Sequence, residues 1–290
     1  CGERKAMSRA SQVTRIGLCI SAMLFVDIYA QAGPVLRNLV SINICSDQFL
    51  LALANRDQIS ALSFQARDEK ISYLAGQALG FPRIHGASED LLNVDAGLVL
   101  MGPYDKRYVR QLLRRRNIPV LTVDTWRSFA GGLDQIRMIG MRLGQSGRAG
   151  QLIETINAAM NVLAKARQNW NKPPTFIMLQ RRGYILRTGI VSELLRTAGL
   201  KDSSRHFTSG VSGIVSLEDM VRYRPDYIVV EEASSSPQDQ GEAKLVHPAL
   251  LRLYPPARRL VIPVRLAICS GPSTPALIHH IAAEISRKTR

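Results

Sequence analysis

From Ser146 to Trp170 the chain reads SGRAGQLIETINAAMNVLAKARQNW, and Leu152, Ile156, Ala159, Met160 and Leu163 recur at three- and four-residue spacing. That period winds one apolar stripe along a helix. Ser146 is the candidate cap, and Asn171-Lys172-Pro173-Pro174 ends the helix, because proline lacks an N–H and pushes its predecessor out of the α region. At 1.5 Å per residue the helix would reach roughly 35 Å, the width of a small domain. On either side the pattern changes to short apolar runs alternating with amphipathic segments. The runs are Leu39 to Ile44, Ile59 to Phe64, Leu98 to Met101 and Val120 to Val123 before it, and Thr175 to Leu179, Tyr227 to Val230 and Leu260 to Val264 after it. Such runs fit strands buried on both faces of a parallel sheet, and strands alternating with helices predict a doubly wound α/β arrangement. Helices are expected over Gln48 to Asn55 (capped by Ser46-Asp47), Arg107 to Arg116, Phe129 to Leu143, Ile190 to Ala198, Leu217 to Tyr223 and Pro275 to Lys288. Lys201 to Gly213 and Arg265 to Thr274 read as polar loops.

The two flanks follow one plan. Ala87-Ser88-Glu89-Asp90-Leu91-Leu92 followed by Asp95-Ala96-Gly97-Leu98-Val99-Leu100 is matched by Ser216-Leu217-Glu218-Asp219-Met220-Val221 followed by Arg224-Pro225-Asp226-Tyr227-Ile228-Val229-Val230. Each is a short helix with an acidic first turn, which the helix dipole favours, then a tight turn and a strand. Glu89 and Glu218 hold the same place in the two units. The predicted fold is therefore α/β, with two Rossmann-like lobes of mainly parallel sheet bridged by one long α-helix. The expected division is residues 33–145, the helix 146–170, and residues 171–290.

The first 32 residues read as an address. Arg9 and Arg15 form a basic region, Ile16 to Val26 an apolar run, and Ala30-Gln31-Ala32 a cleavage site, so a secretory signal peptide ending before Gly33 is expected, with residues 1–6 lying upstream. The apolar run is too short to span a membrane as an anchor. The full chain carries a formal net charge of +15; losing residues 1–32 removes four cations and two carboxylates and leaves +13. An exported basic protein can meet anionic ligands, lipid headgroups or nucleic acid. Arg114-Arg115-Arg116 reads as a solvated helix face, and no basic stripe is interleaved with stacking aromatics, so no nucleic-acid partner is expected. Cys45 and Cys269 each sit in Ile-Cys-Ser. In an oxidising compartment a disulfide between them is the default, with cleft thiols, soft ligands or separate buried thiols as alternatives.

Catalytic signatures are missing from the sequence. It holds no Gly-x-Ser-x-Gly elbow, no Gly-x-Gly-x-x-Gly after the first strand, no phosphate-binding Gly-x4-Gly-Lys-Ser/Thr and no His-Glu-x-x-His. Two lobes with polar, aromatic loops at matching edges suit a binder. A periplasmic hydrolase using the same cleft, or a ligand-free scaffold or sensor module, are the rival readings.

In order and spacing, Leu39 to Asn43, Glu89 with Gly97-Leu98-Val99, the long helix, Thr188-Gly189 before a helix ending Ala198-Gly199-Leu200, and Val215 to Glu218 with Arg224-Pro225-Asp226 resemble one family. These are the helical-backbone (class III) periplasmic substrate-binding proteins of ABC importers, which handle ferric siderophores, haem and cobalamin. The resemblance covers roughly residues 37–288. It implies a monomeric periplasmic protein with no intrinsic cofactor, which holds a small-molecule metal complex in a shallow inter-lobe cleft and delivers it to an inner-membrane ABC permease. It also implies that Glu89 and Glu218 dock on permease arginines. By family position the ligand is expected to meet Asn43, Cys45, Arg67, Tyr104, Trp126, Arg181, Arg182, Tyr184, His206 and Cys269. Guanidinium groups would pair with carboxylates or catecholates of a chelate, and Tyr104, Trp126 and Tyr184 would stack on a macrocycle. Haem would further want an axial Tyr or His, for which Tyr104, Tyr184, His85 and His206 are available.

Overall fold

The structure, a computed structural model, describes residues 36–167, 170–210, 212–232 and 245–288. The signal-peptide segment lies outside these residues. Among them, no helix is long and apolar enough to cross a membrane.

In the N-terminal half, the strands are β1 (Leu39–Ser41), β2 (Ile59–Ser63), β3 (Arg83–Ile84), β4 (Leu98–Met101) and β5 (Val120–Thr122). They form one sheet in the order β3-β2-β1-β4-β5, every neighbouring pair parallel. Its helices are α1 (Ile44–Leu53), α2 (Ser88–Asn93), α3 (Arg107–Arg115) and α4 (Phe129–Arg142). α5 (Ser146–Ala166) follows. It starts at the expected residue, although Ser146 is its first helical residue and Gln145 stands at the cap position without a capping side-chain bond. It stops at Ala166, before the expected end, because Arg167 leaves helical backbone geometry.

In the C-terminal half, the strands are β6 (Thr175–Leu179), β7 (Tyr184–Leu186), β8 (Lys201–Asp202), β9 (Ser212–Ile214), β10 (Tyr227–Glu231) and β11 (Arg259–Ile262). The order is β11-β10-β6-β7-β9, with β8 also paired to β6. β11, β10, β6 and β8 run parallel, whereas β7 is antiparallel to both of its neighbours, β6 and β9. The helices are α6 (Ile190–Thr197), α7 (Leu217–Tyr223), α8 (Pro248–Leu253), α9 (Val264–Ala267) and α10 (Thr274–Lys288). Two predicted loops are therefore corrected. Lys201 to Gly213 contributes β8 and the start of β9, and the segment from Arg265 begins inside α9.

The pseudo-repeat is visible in the pairing. β4, reached through α2, pairs with β1 from Leu98↔Leu39 onward; β10, reached through α7, pairs with β6 from Tyr227↔Phe176 onward. In both units the aspartate of the connecting turn ties the new strand to the older one. Asn38 Nδ2 donates to Asp95 at 2.8 Å, and the Thr175 N–H and hydroxyl donate to Asp226 at 2.8 and 2.7 Å.

Alternating strand residues feed different cores. Leu39 and Phe176 belong to one buried cluster that runs through Phe49, Ile136, Ile156, Leu194 and Leu277. Val40 and Val99 belong to a second under α3, while Ile177 and Ile228 belong to a third with Leu250 and Tyr254. The first cluster is shared by both halves, with α5 packed between α4 and α10. Small residues permit the close approach of α4 to α5: a Cβ on Gly140 would lie 2.3 Å from the Ala149 Cβ. Glu193 of α6 also accepts from the Phe129 N–H at the start of α4, at 3.0 Å, so the C-terminal half completes a helix of the N-terminal half.

Candidate functional site

The loops that follow the parallel strands are the natural place for a ligand in such sheets. After β1, Asn43 caps α1 by accepting from the Ser46 N–H at 2.9 Å. The helix therefore begins earlier than expected, with Asn43 as its cap and Ser46 and Asp47 inside it. Asn43 also donates from Nδ2 to Asp105 at 2.5 Å, and Asp105 accepts the Gly102 N–H at 2.6 Å. These bonds latch the β1 loop to the β4 loop. Tyr104, held within that latched loop, is 86% exposed.

After β2, Phe64 is exposed and stacks on the His85 ring that follows β3, with centroids 4.9 Å apart. Arg67 turns away, donating to the carbonyls of Ala78 at 3.3 Å and Phe81 at 2.5 Å. Its guanidinium fixes the segment leading to β3. After β5, Trp126 is only 4% exposed; its ring covers Gly132, where a Cβ would come within 2.1 Å, and Nε1 donates to Gln135. The buried indole packs on α4 through Gly132 and Phe129, so in this state it offers no stacking platform.

On the other lobe, Gln180 to Tyr184 make the β6–β7 turn, where Arg182 takes φ 60° and Gly183 φ 78°. Arg181 and Arg182 are exposed, and Tyr184 is exposed opposite its cross-strand partner Ile214. Glu231 ends β10 beside this turn. Burial pushes its carboxyl up from the ordinary range, while the Arg181 charge and a hydrogen bond from Gln180 pull the other way. His206 is exposed and stacks on Tyr223, centroids 5.7 Å apart, with Phe207 edge-on to the same ring. Phe64 and Glu231 join the set of strand-end side chains, and Tyr223, the last residue of α7, backs His206, although sequence reasoning did not single them out; the only available signal was their position at the ends of apolar segments.

Cys45, in the first turn of α1, and Cys269, which follows α9, are joined by a disulfide with Cα atoms 5.1 Å apart. Next to it Gly271 adopts φ 101° against Phe49 of α1, where a Cβ would lie 2.5 Å from the ring. The cysteines thus clamp the start of α1 to the segment entering α10. Among the described residues no group of three or more His, Cys, Asp or Glu side chains gathers to hold a metal ion.

The acidic helix starts divide their labour in the same way in both lobes. Asp90 accepts the His85 and Ala87 N–H groups at 2.7 and 3.2 Å, and Asp219 is bonded to Ser216 through both its N–H and its carboxylate. Asp90 caps α2 and Ser216, held by Asp219, caps α7, whereas Glu89 and Glu218 are exposed. One turn further, Leu92 is 50% and Val221 59% exposed, so each glutamate is accompanied by an uncovered aliphatic side chain.

The family model described as periplasmic binding protein matches residues 39–252. No curated protein sequence matches the chain. Among solved structures, the periplasmic haem-binding protein RhuT from Roseiflexus sp. RS-1, in apo form, is similar with a TM-score of 0.70 and 17% identity, covering 88% of this chain and 100% of that one. The periplasmic haem-binding protein HutB of Vibrio cholerae gives 0.67 and 19%, covering 85% and 98%. Unliganded FhuD2 from Staphylococcus aureus gives 0.64 and 14%, covering 87% and 99%. At these identities the likeness shows the fold.

Proposed function

The chain belongs to the periplasmic binding protein family, and from that premise we propose that it captures a metal chelate, with haem the leading candidate, and hands it to an inner-membrane ABC permease. The observation that carries the ligand class is the set of aromatic and cationic side chains left exposed at strand ends of both lobes: Tyr104 and the Phe64–His85 pair on one, Arg181, Arg182, Tyr184 and His206 on the other. Aromatic faces suit a flat macrocycle, guanidinium groups suit its carboxylates, and a Tyr or His can reach an axial metal position. RhuT and HutB are named as haem-binding proteins, which favours haem over a ferric siderophore or cobalamin. The division at residues 33–145, 146–170 and 171–290, periplasmic residence after removal of residues 1–32, and a monomeric state belong to the same proposal.

For delivery we assign Glu89 and Glu218 to the permease. Their exposure, the local capping by Asp90 and Ser216, and the neighbouring Leu92 and Val221 support a docking role. A permease arginine can lay its aliphatic stem on Leu92 or Val221 while its guanidinium meets the carboxylate. Exchanging both residues, Glu89→Arg with Glu218→Arg, is expected to abolish uptake in cells while leaving chelate affinity of the purified protein unchanged. Normal uptake by that variant, or lost affinity in isolation, contradicts the assignment.

A further inference from the structure

A basic pocket of about 630 Å³ opens on the C-terminal lobe, toward the start of β6. Lys201 pairs with Thr175 at the first residue of β6, whereas Arg181 lies beyond the strand's other end at Leu179. Arg187, also in the wall, follows β7, which runs antiparallel to β6 and so returns to the same base of the sheet. The charged lining consists of Arg167, Arg187, Arg196, Lys201, Arg205 and Asp202, five cations against one carboxylate.

Asp202 is already engaged. It takes Arg196 at 3.4 Å and the Ser204 N–H at 2.8 Å. Arg187 is anchored on the carbonyls of Ser209 and Gly210 at 3.0 and 2.6 Å, which fixes one guanidinium in the wall. No side-chain hydrogen bond or ion pair among the described residues occupies Arg167, Lys201 or Arg205. Cations placed after helix C-termini complement the helix dipole, which accounts for Arg196 in the last turn of α6 and Arg167 after α5. It does not account for Arg187 in the bend after β7, Lys201 on β8 or Arg205 in the turn that follows β8.

We infer that this pocket is a second binding site, for an anion carrying two or more phosphate groups. Its volume lies within the roughly 300–1,000 Å³ usual for small-molecule sites. A single phosphate would leave much of the lining charge unmatched, whereas several phosphates can each meet a guanidinium bidentately. The chemistry is shared by free polyphosphates and by lipid headgroups with two phosphates. No residue of the exposed strand-end set lines it, although Arg205 in its wall immediately precedes His206 of that set.

The test uses the full chain, titrated by calorimetry with inorganic tripolyphosphate and, separately, sedimented with phosphatidylcholine vesicles containing cardiolipin. Arg167→Gln/Lys201→Gln/Arg205→Gln is compared with a charge-matched control on α3, Arg107→Gln/Arg114→Gln/Arg115→Gln, and thermal unfolding checks that both variants fold. Should the triple variant fail to fold, Lys201→Glu alone takes its place. Saturable one-to-one binding of tripolyphosphate, weakened about tenfold or more by the pocket variant and unchanged by the control, supports a free anion; this is the effect of losing a single charge-assisted bond. The same selective loss seen only with cardiolipin vesicles supports a lipid source. No saturable binding in either arm, or an equal loss in both variants, overturns the inference and leaves only diffuse positive charge.

Discussion

Asp47 is fully buried in α1, where its carboxylate accepts the Ser63 N–H at 2.9 Å and the Ser63 hydroxyl. Burial dominates those bonds and pushes its pKa up to about 6 from an ordinary 3.8. A folded-state value above the unfolded one means that the native chain binds the proton more tightly. This contribution to stability is therefore complete below about pH 4 and is lost as pH rises through about 6. The loss amounts to about 3 kcal/mol, at about 1.4 kcal/mol per pKa unit. Urea unfolding of the wild type and of Asp47→Asn between pH 4 and 8 checks it. The stability difference, wild type minus variant, should fall across that window, and a flat difference would exclude the buried acid. Single residues are also where sequence reading loses power. Asn43, Arg67 and Trp126 have the residue types and loop positions of ligand contacts, yet Asn43 caps a helix, Arg67 holds two carbonyls and Trp126 seals Gly132. Which strand-end side chains are spent on the backbone depends on partners distant in sequence, such as Asp105, Phe81 and Gln135.

At the scale of elements, apolar period and turn chemistry did most of the work. β4, β6 and α7 coincide with the runs read from the sequence, as does the start of α5, because each is an uninterrupted apolar run or stripe between breakers. The hairpin strand β7 and its partner β9 were not legible. They are three residues each, β9 lies beside serines and glycines, and β7 is set against β6 by the Gln180–Tyr184 turn rather than by a buried period. On the side of β6 where the N-terminal sheet has parallel β2 beside β1, the two-residue β8 keeps the parallel pairing and antiparallel β7 takes the rest of the edge, so the repeated αβ unit is curtailed on that flank. The disulfide acts at this scale too. Closing 224 residues of sequence, it restricts the unfolded chain by about 5 kcal/mol on loop-entropy grounds. Cys45→Ser with Cys269→Ser should therefore lower the guanidinium midpoint strongly while retaining native circular dichroism. An unshifted midpoint would mean that the clamp adds nothing to stability.

For the molecule as a whole, one buried cluster threads both lobes along α5, and Glu193 and the disulfide add links between them. A core shared in this way resists wide hinge opening, because separating the lobes would expose residues such as Ile156 and Leu277, which are now out of solvent. Ligand capture then rests on side chains already displayed at the loop ends, with little need for closure. The paired exposed glutamates stand out against a formal net charge of +15, which favours docking on a basic partner at those two points. The central claim is that exposed aromatic and cationic groups at the strand ends hold a metal chelate. The most direct measurement is an absorption titration of the purified chain with haemin, a ferric catecholate siderophore and cobalamin, repeated on Tyr104→Ala/Tyr184→Ala. The account predicts one saturable transition, first with haemin, weakened in the double variant; saturation with none of the three, or affinity untouched by losing both tyrosines, would contradict it.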